Sequence, residues 1–291
     1  MAAECIWSRE SELGEGARYD PDTNSIWWVD ILGQRIMNLD LVNGRKREWE
    51  TPTHVGTTFA NMDGSVLALL RHNLCTLDLE TGTFDSIVEF RDEPATNRFN
   101  DGTVGPDGRI WLGSMDFDCE RPTGALYCVE ADGSVAVKDT GYTVTNGPAV
   151  SADGNRLFVN ETMSRNIFCF DRDPQTNILS NKRLFAQPLE DEGLPDGLCV
   201  DTDGGLWVAL VTGGKVRRYK SDGHIDFDLQ MPTPIVTSVV LGGLQRQTLF
   251  VTTGRILLSD TDLADYPASG SLFQIDVDFE GPITPTAKML I

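Results

Sequence analysis

Four acidic or carboxamide side chains recur at matching positions along the chain and could together bind a cation. Glu15, Asn100, Asn146 and Asp196 each lie 11 or 12 residues before an aromatic residue of a strand-like segment, and a glycine follows each within two residues. Such bends would point the side chains inward. Two carboxylates and two amides brought together repel each other unless a cation binds them, and oxygen donors suit Ca²⁺, Mg²⁺ or Mn²⁺ better than a dedicated zinc site. The pattern predicts a metal-assisted hydrolase or a structural cation site.

A repeat positions these residues. Strand-like segments recur at 26–29, 66–69, 110–113, 157–160, 206–209 and 249–252, and the steps between their central residues are 40, 44, 47, 49 and 43. Strand-rich units of this period are typical of a β-propeller. Gly56 and Ser238 occupy the matching position in the other two units. We therefore predict an all-β, six-bladed β-propeller that spans residues 1–291 as one domain, with a divalent cation in its central channel.

Two further expectations concern how the ring is held together. The aromatic residues at the centres of the repeats, such as Trp27 and Trp207, are expected to fill space between blades rather than to take part in chemistry. The N-terminal segment Cys5-Ile6-Trp7 precedes the first repeat. We expect it to pair with the C-terminal strands and close the ring, which removes free sheet edges.

Composition limits the partners. The net charge is −20, which disfavours nucleic acid and anionic membranes because both are bound through positive surface. The start of the chain lacks a basic segment and an apolar stretch, and its six cysteines form no CxxC pair. We therefore expect a cytoplasmic protein without disulfides. The three histidines, His54, His72 and His224, share no position in the repeat, which argues against a Ser-His-Asp triad and a His-ligated zinc site.

An ordered set of short motifs resembles the gluconolactonase family, also called the senescence marker protein-30 or regucalcin family. The resemblance extends from about residue 10 to residue 277. The motifs are Leu13-Gly14-Glu15-Gly16, Arg98-Phe99-Asn100-Asp101-Gly102, Gly113-Ser114-Met115, Gly124-Ala125-Leu126-Tyr127, Ser151-Ala152-Asp153-Gly154, Pro195-Asp196-Gly197 and Gly205-Leu206-Trp207-Val208-Ala209.

This resemblance implies a six-bladed propeller that hydrolyses a sugar lactone to the aldonic acid in carbohydrate catabolism, with one divalent cation as cofactor. It implies Glu15, Asn146 and Asp196 as metal ligands, with Asp196 also acting in catalysis. Arg98, Asn100 and Asp118 would contact the substrate, although Asp118 is shorter than the Glu of some members. Asp101 is expected only to cap the turn after Asn100.

Several alternatives stay open at this point. The cation could be Ca²⁺, Mn²⁺, Mg²⁺, Zn²⁺ or Fe²⁺, and neither the sugar nor the oligomeric state follows from the sequence. The same metal site could hydrolyse phosphotriesters or lipophilic lactones. Arg98, Asp118 and the acidic segment Glu190-Asp191-Glu192, expected near the channel mouth, favour a hydroxylated substrate instead. A non-enzymatic calcium-binding propeller is the third possibility, since fold alone does not decide function.

Overall fold

The computed structural model describes residues 2–290 and contains six four-stranded antiparallel sheets arranged as the blades of a β-propeller. Each blade runs from an innermost strand beside the central channel to an outermost strand. The strands are β1 Glu4–Trp7, β2 Gly14–Asp20, β3 Ser25–Asp30, β4 Arg35–Asp40, β5 Lys46–Glu50, β6 Val55–Ala60, β7 Val66–Leu70, β8 Asn73–Leu77, β9 Phe84–Glu89, β10 Asn97–Val104, β11 Ile110–Asp116, β12 Gly124–Val129, β13 Val135–Tyr142, β14 Thr145–Val150, β15 Arg156–Glu161, β16 Asn166–Arg172, β17 Leu179–Ala186, β18 Leu194–Val200, β19 Leu206–Val211, β20 Lys215–Tyr219, β21 Ile225–Gln230, β22 Val236–Gly242, β23 Thr248–Thr253 and β24 Leu272–Asp276.

The N-terminal strand closes the ring, as the sequence predicted. Blades 1 to 5 each consist of four consecutive strands, whereas the sixth sheet has the order β1-β24-β23-β22. Glu4 pairs with Gln274 and Cys5 with Phe273 in an antiparallel register. Hydrogen bonds between the two ends of the chain therefore hold the first and last blades together.

Apolar side chains fill the spaces between neighbouring blades. Six clusters of buried side chains are present, and each draws on two adjacent blades. The central residues of the repeats lie within them: Trp27 is 2% exposed, and Trp111 and Trp207 are 0% exposed. The prediction that these aromatics pack the core is confirmed. The six cysteines are all free.

One short helix, α1 Asp260–Asp265, connects β23 and β24. Its N-terminus carries a capping box, in which the Ser259 hydroxyl accepts from the Asp262 N–H and the Asp262 carboxylate accepts from the Ser259 N–H. The helix buries none of its residues. It therefore has no apolar face whose helical period could have predicted it from the sequence. Within residues 2–290 no helix is long and apolar enough to cross a membrane.

The C-terminal segment covers one end of the channel. After β24 the chain crosses to blades 2 and 3, where the Lys288 N–H donates to the Gly108 carbonyl and the Met289 N–H donates to the Asn61 side-chain oxygen. A cavity of about 620 Å³ lies beneath it, between residues 282–285 and the ends of the innermost strands. Glu15, Asn100, Asn146 and Asp196 do not line this cavity, which extends along the channel as far as Asp101.

Candidate functional site

Every innermost strand is irregular at the position that the repeat marks. In each blade the register between the innermost strand and its neighbour shifts, which indicates a bulge. A bulge places extra residues of one strand opposite a single residue of its partner and redirects side chains. The shifts lie between Glu15 and Arg18, Val55 and Thr57, Phe99 and Asp101, Asn146 and Ala149, Pro195 and Leu198, and Val236 and Ser238. All six surround the same end of the channel.

The glycines at these bulges serve two purposes. Gly16 (φ 59°) and Gly147 (φ 75°) adopt the left-handed conformation expected of a tight bend, which glycine adopts without steric cost. Gly197 does not, but a Cβ there would lie 2.7 Å from the Ser238 hydroxyl oxygen. Gly56 likewise brings blade 2 against blade 3, since its Cβ would lie 2.5 Å from the Asn100 carbonyl oxygen. Close approach of neighbouring innermost strands therefore explains the second pair.

A chain of hydrogen bonds orients the two carboxamides. Arg98 Nη1 donates to Asn100 Oδ1 at 2.6 Å, and Asn100 Nδ2 donates to Asn146 Oδ1 at 2.8 Å. Asn146 Nδ2 donates to Thr162 Oγ1, which in turn donates to the Pro195 carbonyl, both at 2.8 Å. Because its amide nitrogen is held by Thr162, Asn146 presents its oxygen towards Asn100. That oxygen has a second lone pair available for a cation.

Three carboxyl groups are buried together in the channel: Glu15 is 3% exposed, and Asp101 and Asp196 are each 7% exposed. Burial raises the pKa of Glu15 to about 7. The Gly16 N–H, which donates to the Glu15 carboxylate, has the opposite and smaller effect because it stabilises the charged form. Burial, followed by the charge of Glu15, raises the pKa of Asp101 and that of Asp196 well above their ordinary value. The Glu15 and Asp196 carboxyls are within hydrogen-bonding reach of each other. The cluster therefore holds protons or a cation rather than three free negative charges.

The expectation for Asp101 was too narrow. It accepts the N–H of Gly102 at 2.7 Å, as a turn cap would, but its other oxygen accepts the N–H of Gly147 in the next blade at 3.2 Å. Its charge also interacts with those of Glu15 and Asp196. The bulge explains the difference, because Asn100 and Asp101 are consecutive residues that both reach the channel. The Asn-Asp-Gly motif was the signal that could have revealed it.

Arg98 and Asp118, both predicted to contact the substrate, lie in different surroundings. Arg98 is 6% exposed, and burial lowers its pKa to about 10 even though Cys119, Glu15 and Asp196 favour its charged form. Asp118 lies on the exposed turn after β11, and its carboxylate has no hydrogen bond or ion pair with any described residue. The Cys119 thiol, rather than the Asp118 carboxylate, lies near Arg98.

The predicted acidic segment near the mouth is partly neutralised. The Glu192 carboxylate accepts two hydrogen bonds from Arg217, at 2.6 and 2.9 Å, and the Leu189 N–H also donates to it. Hydrogen bonds from Arg217 are the main reason why its pKa falls to about 2. Glu192 is therefore neutralised by its ion pair with Arg217 of blade 5, whereas Glu190 and Asp191 remain exposed.

The donor set suits a hard cation. Carboxylates from blades 1, 3 and 5 and a carboxamide oxygen from blade 4 converge without histidine or thiolate, which is the chemistry that Ca²⁺, Mg²⁺ and Mn²⁺ prefer. Within residues 2–290 no three Asp, Glu, His or Cys side chains are grouped closely enough to hold a metal ion by themselves. A cation here would therefore need the Asn146 oxygen and further ligands such as water.

Comparison with known proteins shows that the chain is similar to proteins named as lactonases and regucalcins. Residues 13–255 match the family model described as SMP-30/Gluconolactonase/LRE-like region. The chain is 33% identical to the pentonolactonase XacC of Haloferax volcanii, with 92% of each chain covered. It is 31% identical to the 6-deoxy-6-sulfogluconolactonase of Pseudomonas putida, with 97% of each covered. It is 30% identical to the regucalcin of Danio rerio, with 94% of each covered.

A solved structure agrees with the fold. The crystal structure of a calcium-binding protein, regucalcin, from Agrobacterium tumefaciens superimposes with a TM-score of 0.93 and 26% identity. The match covers 98% of this chain and 97% of that one. With its six blades, its closure and its motifs in order, the chain belongs to the SMP-30/gluconolactonase/LRE-like family.

Proposed function

We propose that this protein hydrolyses a sugar-derived lactone to the open-chain aldonic acid, with one divalent cation as cofactor. Glu15, Asn146 and Asp196 would hold the cation, which would be Ca²⁺, Mn²⁺, Mg²⁺, Zn²⁺ or Fe²⁺. The family and the relatives named as lactonases, at 31–33% identity over nearly the whole chain, support this reaction class.

The observation that carries the proposal is the buried trio of carboxyl groups. Glu15, Asp101 and Asp196 are almost inaccessible to water, and burial, followed by the charge of Glu15, raises the pKa of each aspartate. The positive charge of Arg98 acts on both Glu15 and Asp196. A structural core would not gather unpaired acids at this energetic cost, whereas a cation-binding site requires them.

The chain's own side chains supply binding and proton transfer. Arg98, held by its 2.6 Å hydrogen bond to Asn100, would donate to substrate oxygens at the channel mouth. Both amide hydrogens of Asn100 are taken by the Thr145 carbonyl and by Asn146, so Asn100 would contact the substrate through its side-chain oxygen. Asp196 would accept the proton of the attacking water as its oxygen adds to the lactone carbonyl. The same proton would then pass to the ring oxygen when the ring C–O bond breaks, which leaves a hydroxyl. When bound, a divalent cation supplies polarisation of the carbonyl and increased acidity of water.

The experiment is a hydrolysis assay on chelator-treated protein. We expect acid release from glucono-1,5-lactone at slightly acidic pH to be lost after chelation and to return when single metals are added back. Asp196→Asn should lower kcat by roughly a thousandfold, within the usual range for a general acid–base residue. Asp85→Asn, at an exposed position on β9, removes the same charge and should leave kcat unchanged. Full activity of the Asp196 variant would refute the proposed role.

Two outcomes would favour the alternatives. Turnover of an aryl phosphotriester, or of a lipophilic lactone, that exceeds turnover of every sugar lactone would indicate the phosphotriesterase-type reaction on the same site. Absence of metal-restored hydrolysis across xylono-, galactono- and arabinonolactones would instead favour a non-enzymatic, cation-binding propeller.

A further inference from the structure

A group of side chains that includes two arginines lies at the rim of the channel, at the same end as the carboxyl trio. We call His54, Arg71, Arg98 and Phe117 the rim cluster. His54 immediately precedes β6, Arg71 immediately follows β7, Arg98 lies in β10 and Phe117 immediately follows β11. Blades 2 and 3 thus contribute all four side chains.

Phe117 links the outer members of the rim cluster. Its ring centre lies 5.1 Å from that of His54, at an angle of 65°, and 5.6 Å from Arg71 Cζ. The ring is 37% exposed. Its position between a cation and an imidazole at the mouth is therefore not explained by burial in the core, whereas an aromatic face is a good support for a guanidinium.

Arg71 is held in place without being neutralised. Nη2 donates to the Ala95 carbonyl at 2.9 Å and Nε donates to the Asn97 carbonyl at 3.3 Å. Neither Arg71 nor Arg98 forms an ion pair with any residue between 2 and 290, although the chain has 44 acidic residues. Uncharged carbonyl groups fix the guanidinium but leave its charge uncompensated.

Acidic residues near the rim are either occupied or fully in water. The Asp116 carboxylate accepts hydrogen bonds from the Arg121 side chain and from two backbone N–H groups. Glu93 accepts from Asn97 and Tyr127. Asp118 is exposed to solvent. None of these carboxylates forms an ion pair with Arg71, so the positive charge of Arg71 is available to a ligand.

His54 adds an unused polar atom. Its Nδ1 is buried and has no hydrogen-bond partner among residues 2–290. The Phe117 ring contacts both His54 and Arg71, which brings the imidazole close to the guanidinium. Burial lowers the pKa of His54, and the positive charges of Arg98 and Arg71 lower it further. Arg98 in turn interacts with Glu15 and Asp196. Arg71 donates to the carbonyl of Asn97, the residue before Arg98, and Arg98 donates to Asn100 in the channel. Arg98 therefore lies between Arg71 and the site.

We propose that the rim cluster binds an anionic group, such as a carboxylate, sulfonate or phosphate, at the end of the lactone remote from the reacting carbonyl. The inference rests on the proposed lactone hydrolysis and narrows its substrate to acidic sugar lactones. A lactone carbonyl held beside Asp196 directs its far end outwards past Arg98, towards Arg71 and His54. A guanidinium presents several donors in one plane, so it binds such oxyanions through charge-assisted hydrogen bonds.

The test compares glucono-1,5-lactone with its 6-phosphate, which differ only in the remote anion. With metal-loaded wild-type protein we expect a higher kcat/KM for the phosphorylated lactone, and a preference that weakens as salt is added. Arg71→Gln should lower kcat/KM for the phosphorylated lactone about tenfold, which corresponds to roughly 1.4 kcal/mol. It should leave kcat/KM for gluconolactone within about twofold, a difference of roughly 0.4 kcal/mol.

The control is Arg183→Gln, which removes an equal charge from the outer strand β17, where Arg183 pairs with Asp171. It should change neither value. Equal loss for both lactones in the Arg71 variant would assign that residue a structural role, and no preference in the wild type would refute the anion site while leaving lactone hydrolysis intact.

Calorimetry separates the two proposals. Binding of 6-phosphogluconate and of gluconate can be measured even if no lactone is hydrolysed. Tighter binding of the phosphorylated acid that is lost in Arg71→Gln would support the anion site without the lactonase activity. Equal binding of the two acids, unaffected by the substitution, would refute the anion site whatever the hydrolysis assay shows.

Discussion

The most informative perturbation is Glu15→Gln in the metal-free protein. Burial raises the pKa of Glu15 from 4.5 to about 7. The folded protein therefore binds a proton that the unfolded chain releases at a lower pH. The stability that this proton contributes is present below the unfolded pKa and is lost as pH rises through the folded pKa. The metal-free wild type should accordingly become less stable between pH 4.5 and pH 8.

The magnitude follows from the size of the shift. One pKa unit corresponds to roughly 1.4 kcal/mol, so a rise from 4.5 to about 7 amounts to about 3 kcal/mol of unfolding free energy. Asp101 and Asp196 add to this loss, because the charge of Glu15 raises the pKa of each. A neutral side chain at position 15 removes the first contribution and reduces the other two.

The assay is urea denaturation of chelator-treated protein at pH 4.5 and pH 8. Between these values the wild type should lose at least about 3 kcal/mol more than Glu15→Gln. Glu89→Gln, at an exposed position on β9, should keep the wild-type dependence. A divalent cation added at pH 8 should restore wild-type stability by binding the folded state. The same pH dependence in the wild type and the Glu15 variant would refute the burial argument.

Three further substitutions test the scaffold of the site. Thr162→Val removes the acceptor that orients Asn146 and should weaken cation binding about tenfold by calorimetry. Thr162→Ser keeps a hydroxyl and should retain the wild-type affinity. Unchanged affinity in the Val variant would contradict the role of this hydrogen bond. Gly56→Ala places a Cβ 2.5 Å from the Asn100 carbonyl oxygen and should cost about 1–3 kcal/mol in urea unfolding, whereas wild-type stability would show that the blades can separate. Trp7→Ala empties a site that is 5% exposed on the closing strand and should cost about 3–5 kcal/mol; a smaller loss would mean that β1 adds little to closure.

Much of the fold could be predicted because each blade repeats one local pattern. A strand has a period of two residues and a blade buries its middle strands, so Trp27, Trp111 and Trp207 mark corresponding positions without any knowledge of contacts. The closure by Cys5-Ile6-Trp7 followed from the same argument, because this segment lies before Glu15 where outer strands lie before the matching positions of the other repeats. The helix at 260–265 escaped prediction because it is short and has no buried face.

The candidate site was predicted in part for the same reason. Four predicted side chains occupy matching positions of the repeat, and the structure brings them to one end of the channel: Glu15, Asn100, Asn146 and Asp196. Asp101 was underestimated, because an Asn-Asp-Gly motif in isolation is an ordinary turn. The bulge that carries it into the channel depends on pairing between β10 and β11.

The sequence alone determined the number of blades, the repeat position that faces the channel and the oxygen-rich side chains at that position. All three are properties of a local repeat. Only the tertiary structure decided which charges are compensated. Glu192 pairs with Arg217, and Arg71 approaches Phe117, so each contact joins residues that are distant along the chain. Asp118, by contrast, lies exposed to solvent without a partner among the described residues. Such contacts depend on how strands bulge and blades pack, which residue spacing along one chain does not encode.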